Sequence, residues 1–334
     1  MKIKNYFAAA VCGAVLLTSS LAFAKETEEI RVGSILALGT AAPFAAQELG
    51  YYEEAGLDIS VTEFSDGAAL MEAFAAGELD VALVGIAPAA AWFGKGLDLK
   101  VVAGTNGGGH VLMTREDSGI ENVSDLKDRI VAEPGVATVT DALLRAEILA
   151  EAGLNPDRDV ILIPGMKPAD MATALMATKE ADAIITWEPY ASLAMADYGD
   201  QIRVIYDAGP ELKTEEAEGF YPGNVVIASG DFIESHEDLL DTFLAIHAET
   251  TDYLNEDETA NETLASILQL DVSVVENARM RTDFHSEINQ ETALEVLQWS
   301  VDLGYLEELP DAEEFFILKE DKTPTSQQEY RWHS

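Results

Sequence analysis

From Glu29 onward the chain alternates short apolar runs with Ala-rich segments whose apolar residues recur three and four positions apart. The short runs read as strands at 30–36, 58–64, 81–84, 99–104, 130–132, 159–163, 181–185, 202–206 and 225–229. The Ala-rich and amphipathic segments between them read as helices, and strands alternating with helices predict an α/β fold. Residues 77–104 show the unit most clearly: a turn, the strand Val81-Ala82-Leu83-Val84, a small-residue loop with Pro88, a helix and a second strand. Such a βαβ unit places the loop after its first strand at the carboxyl edge of a parallel sheet, where open α/β sheets bind ligands. Gly85 and Ile86 open that loop, and glycine lets a ligand approach the backbone closely. A loop kept small only for packing accounts for the same residues.

Other strand ends carry further candidates. After the first strand, Thr40 reads as the N-cap of a helix running to about Glu54, with Thr40 and Ala41 amides available to a helix turn or a ligand. After 130–132, Thr138, Val139 and Thr140 stand at the start of an amphipathic helix over 143–152. Free amides with threonine hydroxyls beside them make a neutral anion seat, or an ordinary capped helix start. The strand at 181–185 ends in Thr186-Trp187-Glu188-Pro189-Tyr190, where an indole can wall a pocket. Glu188 either accepts from a ligand donor or caps the helix that Pro189 starts. Gly107, Gly108 and Gly109 suit a flexible crossing between two bodies; they lack the Gly-Lys-Ser/Thr ending of a phosphate loop. His110 reads as a crossing or surface residue, and Arg281 as an ion-pair partner rather than a ligand contact. After Ser229 the pattern turns helical to the end.

Charge narrows the partners. With 61 acidic against 20 basic residues the formal net charge is −41, which argues against nucleic acid and against anionic membrane surfaces. A hydrophobic fraction of 48% excludes a disordered acidic chain. Residues 1–24 have the form of a secretory signal peptide: Lys2 and Lys4, an apolar stretch, then Ala22-Phe23-Ala24. The single cysteine, Cys12, lies within it, so the mature chain is expected to have no thiol nucleophile, disulfide or cysteine metal site. No Ser-His-Asp ordering or His/Glu metal spacing is found, and neither cofactor nor metal is expected.

Several of these pieces occur in a recognisable order. The turn Gly77-Glu78-Leu79-Asp80, the upstream AQELGYYEEAGL of 46–57, Ser124-Asp125-Leu126-Lys127-Asp128 and Thr186-Trp187-Glu188-Pro189-Tyr190 together resemble solute-binding proteins of nitrate/sulfonate/taurine-type ABC importers, the NMT1/THI5-like group. The resemblance covers roughly 28–317. It implies a type II periplasmic-binding-protein fold: two α/β lobes around a cleft, joined by crossovers at 106–113 and 219–226. Lobe I would comprise 25–108 with 224–318, lobe II 109–223, and 319–334 a polar tail, with 208–219 an insertion at the cleft mouth. The resemblance places the 138–140 loop on the cleft and brings Tyr221 and Asn224 to it on the return crossover, where packing alone accounts equally for Tyr221. It implies a periplasmic monomer, not an enzyme, that hands a small-molecule ligand to an ABC transporter permease. The thiamine-pyrimidine synthases of the same superfamily use a cysteine-rich motif that the mature chain lacks. The ligand class it implies is a small oxyanion. With Lys167 the one cation in the expected cleft loops, and Glu188 there too, a zwitterion such as taurine or a neutral heteroaromatic fits better than nitrate. A thiamine-pyrimidine precursor, or delivery of a ligand to a sensor, is the alternative reading.

Overall fold

A computed structural model describes residues 29–211 and 221–318. The signal segment with Cys12, most of 208–219 and the 319–334 tail lie outside the described residues. Eleven strands are described, in chain order β1 (Ile30–Ile35), β2 (Ile59–Phe64), β3 (Val81–Gly85), β4 (Leu99–Gly108), β5 (His110–Arg115), β6 (Ile130–Ala132), β7 (Ile161–Ile163), β8 (Ala183–Trp187), β9 (Ile202–Asp207), β10 (Pro222–Ser229) and β11 (Thr282–Phe284). They form two sheets, ordered β11-β4-β10-β3-β1-β2 and β7-β6-β8-β5-β9. The chain leaves the first sheet at the end of β4 and enters the second at β5, one residue later; it is back in the first sheet at β10. Gly108 and Gly109 make the first passage with φ of 71° and 84°, a region open to glycine at little cost.

The 77–104 unit forms as expected, with one difference. β3 and β4 run the same way but are not neighbours, because β10 pairs antiparallel with both and lies between them. The returning strand Val225-Val226-Ile227-Ala228 is fully buried, as an apolar run placed mid-sheet must be.

Helix boundaries depart from the sequence reading in four places. Thr40 is not an N-cap: its hydroxyl donates to the Ile35 carbonyl at 2.6 Å, tying back the short 3-10 turn Leu38–Thr40. Ala41 stands at the cap of helix Ala42–Glu48 instead, with no side chain accepting from the first turn. The expected run to Glu54 breaks at Gly50, φ 79°, into Ala42–Glu48 and Tyr51–Glu54. The Ser124–Asp128 stretch, among the segments between strands that read as helices, opens in a 3-10 turn, Val123–Leu126, capped by Asn122 and Asp125. The helix over 139–151 carries one wide turn at Leu143–Ile148. Nor is the end of the chain all-helical: β11 follows the Val272–Arg279 helix and pairs with β4 as an edge strand. Three residues, Thr-Asp-Phe, are too few to show an alternating pattern.

A single buried apolar cluster runs from Leu70, Val84 and Ile86 beside the first sheet to Val139, Leu143 and Ile185 beside the second. The two sheets therefore pack as one molecule rather than as beads on a linker. Leu83 is fully buried on β3, opposite Ser34 of β1 and Val226 of β10. Leu83→Ala should cost about 2–5 kcal/mol, read as a lower urea midpoint with an unchanged slope.

Candidate functional site

Between the carboxyl end of the first sheet's β1 and β3 and the facing loops of the second sheet lies a cavity of ≈ 740 Å³, its open mouth included. That is room for a small organic molecule. The first-sheet wall comes from Ile35, Gly39, Thr40, Gly85 and Pro88. The facing wall is Thr138, Val139, Thr140, Trp187 and Glu188. Gly108, Gly109, His110, Asn224 and Thr282 line it where the chain passes between sheets.

Of the ten candidate positions, eight line this cavity: Thr40, Gly85, Thr138, Val139, Thr140, Trp187, Glu188 and Asn224. Two do not. Ala41 is buried with Leu38, Ala45 and Phe284, and Ile86 with Val84 and Ala90, both as parts of apolar cores. Each follows the loop residue that reaches the cavity, and its side chain turns inward to the helix packing. Lys167 is exposed and absent from the lining. Among the described residues no lysine or arginine lines the cavity.

Helix starts supply its neutral donors. The Ile86–Gly94 helix begins at Gly85 with no side chain on its first-turn amides. On the opposite wall Thr138 is a true N-cap, its hydroxyl accepting from Asp141 N at 3.2 Å. The loop before it is held in turn by Asp141, whose Oδ2 accepts from the amide of Ala137, a residue at φ 61°. Behind that loop sits a buried ionic group. Arg145 Nε donates to Asp141 Oδ1 at 2.5 Å and Arg145 Nη2 to Glu133 Oε1 at 3.1 Å, both acids fully buried. The Tyr305 hydroxyl, from beyond the Gln290–Asp302 helix, neighbours this group, and burial with the nearby Asp141 raises its pKa. Burial, and then the neighbouring Asp141, push the Glu133 carboxyl up to about 8.

Glu188 serves the helix and faces the cavity. Its Oε2 accepts from Ser192 N at 2.9 Å and its Oε1 from Ser192 Oγ at 3.0 Å, so it satisfies an amide of the Tyr190–Tyr198 helix. Burial pushes this carboxyl up to about 7, against the pull of the Ser192 amide and of Arg281. Arg281 is ion-paired, as expected, to Asp207 at 2.7 Å and Glu188 at 3.5 Å. Trp187 presents a buried Nε1 and Thr282 a buried Oγ1 that have no partner among the described residues.

Three polar lining residues escape the sequence reading. His110 is buried, its Nδ1 bonded to the hydroxyl of the equally buried Tyr221, and burial lowers its pKa to about 4. Asn106 accepts from Thr105 Oγ1 at 3.0 Å and from Asn224 Nδ2 at 2.8 Å. Its amide lies so close to Gly39 that a Cβ there would sit 2.4 Å from Asn106 Cγ. A lone polar residue ending an apolar strand was the available signal for Asn106. Thr282 carried none, because β11 itself was invisible.

Residues 24–269 match the model of the NMT1-like family, about three quarters of the chain. The chain belongs to the NMT1-like family. A relative in Bacillus subtilis, named as an aliphatic sulfonates-binding protein, is 29% identical over 289 residues, 84% of this chain and 82% of its own. The periplasmic aliphatic sulphonate binding protein SsuA of Escherichia coli shares the fold at TM-score 0.72 and 23% identity, over 86% of this chain and 97% of its own. The periplasmic nitrate-binding protein NrtA of Synechocystis PCC 6803 does so at 0.71 and 16%, over 86% and 84%. A Candida albicans protein described by the generic periplasmic binding protein fold also superposes, at 0.66. The NMT1-like chain thus has the periplasmic-binding-protein fold, two sheets with the cavity between them. Among the described residues no helix is long and apolar enough to cross a membrane.

The buried Glu133 sets a pH dependence. A carboxyl held above its unfolded value keeps a proton in the folded chain that the unfolded chain has lost. Stability from this group is therefore complete below its unfolded pKa and falls as pH rises from about 5 to about 8. The slope is about 1.4 kcal/mol per pH unit, and Glu133→Gln should flatten it in urea melts taken across that range.

Proposed function

We propose that this NMT1-like protein is an extracytoplasmic solute-binding protein. It captures a small organic oxyanion or zwitterion of the aliphatic sulfonate and taurine class and delivers it to the permease of an ABC importer. It catalyses no reaction and works as a periplasmic monomer, exported by its 1–24 segment. The observation that carries this reading is that two residues lining the cavity, Trp187 and Thr282, each hold a buried polar atom, Nε1 and Oγ1, with no partner among the described residues. Buried polar atoms are rarely left unpaired, and a bound solute would pair these. The uncapped amides at Ile86 and the amides above Thr138 suit an oxyanion without a cationic side chain. The names of the Bacillus and Escherichia relatives point to the same class.

Capture would proceed by closing lobe II, 109–223, on lobe I about the Gly108–Gly109 passage. Closed contacts that exist only around the solute are what a transporter would read. A neutral heteroaromatic solute is the second reading, favoured by the indole wall and the absence of lysine or arginine among the described lining residues.

Melting the purified protein against taurine, short alkanesulfonates, nitrate and a thiamine-pyrimidine precursor separates the two. A true solute at about a hundred times its Kd adds about 2.7 kcal/mol and raises Tm by a few degrees. A rise with sulfonates supports the first reading; a rise with the pyrimidine alone moves it to the second. Trp187→Ala should keep the fold and weaken the responding solute by about tenfold or more. Unchanged affinity would remove Trp187 from the site.

A further inference from the structure

Arg281 lies outside the cavity, and its part in binding rests on the solute-binding reading of that cavity. Arg281 stands between the Val272–Arg279 helix and β11, in the body of the first sheet, yet its guanidinium serves the second sheet. Nε donates to Asp207 Oδ2 at 2.7 Å, Nη1 to Glu188 Oε1 at 3.5 Å, and Nη1 also to the Asn277 carbonyl at 3.2 Å. The side chain is 17% exposed, Glu188 1% and Asp207 18%. One cation therefore meets two carboxylates in a poorly hydrated place, and the short contact goes to Asp207.

Glu188 is left with the longer, weaker contact, and Glu188 is the member of the trio that lines the cavity. Its other partners, Ser192 N and Ser192 Oγ, are neutral. Of the titratable groups around it, Asp207 has the same sign as Glu188, and His110 across the cavity end is neutral by burial. An ionised Glu188 is thus an acceptor whose charge is half met.

We propose that Arg281 is a positioning residue for Glu188: it supplies part of an ion pair that an ammonium or N–H end of the solute completes, so the site selects zwitterions over simple anions. Removing Arg281 would leave Glu188 protonated over more of the neutral range and blunt that selection. Removing Asp207 would free the guanidinium for Glu188 and act in the opposite direction.

The test compares 2-aminoethanesulfonate with ethanesulfonate by calorimetry between about pH 5.5 and 8.5. The two differ only at the amine, which stays mostly protonated across the range. The wild-type protein should prefer the aminosulfonate, increasingly so as pH rises through about 7, where Glu188 ionises. In Arg281→Met the preference should fall by about tenfold and its rise move to higher pH, a shift of about one unit. Ethanesulfonate should bind that variant within about twofold of wild type, because its contacts do not involve Glu188. Arg281→Lys should restore part of the preference, and Glu188→Gln should abolish it. Equal weakening of both compounds, or an unmoved pH profile, would reduce Arg281 to a strut and overturn the proposal.

Carboxyl carbon NMR of the solute-free protein gives a reading that needs no solute. Glu188 should titrate higher in Arg281→Met and lower in Asp207→Asn than in the wild type. No displacement in either variant overturns the positioning role by itself. If neither sulfonate binds the wild-type protein while Glu188 does move, the sulfonate reading of the cavity has failed and the Arg281–Glu188 coupling has not.

Discussion

The backbone ladder of β10 is the constraint on which the rest depends. Because this strand bonds to β3 on one side and β4 on the other, the chain's return from the second sheet is fixed beside its departure. Asn224 then lies opposite both Gly85 and Asn106, which brings the βα loop and the end of the outgoing strand to one place. Ladder bonds at the centre of a sheet are buried and obligatory, so this convergence costs nothing further to maintain. The cavity is what remains between that convergence and the loops of the second sheet.

Much of this was legible from apolar periodicity. The 77–104 unit, strands β6, β7, β8 and β9 of the second sheet and the Trp187-Glu188-Pro189 strand end all follow from short aliphatic runs bounded by turn residues. What was not legible is instructive. The intercalation of β10 is a long-range pairing that no local pattern encodes, and β11 is three residues long on an edge. Thr40 was misread because its hydroxyl had two backbone options, and the carbonyl behind it won over the amides ahead. Ala41 and Ile86 were drawn in by adjacency to Thr40 and Gly85; a helix start sends successive side chains about 100° apart, so neighbours do not share a wall.

The charge balance also shapes the interior. With so few cations, those near the centre are committed in full: Arg145 to Glu133 and Asp141, Arg281 to Asp207 and Glu188. Apart from Glu188 and the neutral His110, the polar lining among the described residues is left to amides, hydroxyls and an indole, groups whose fields are weak but fixed in direction. Buried acids rather than buried bases then carry the titratable behaviour of the site.

Trp187 lies directly across the ladder from His110, and His110 is the first residue of the outgoing chain in the second sheet. His110 in turn holds the hydroxyl of Tyr221, the residue before the incoming strand. The indole is therefore geared to both seams of the molecule through one strand pairing and one side-chain bond. Any load placed on its ring arrives at the joint without a moving part in between.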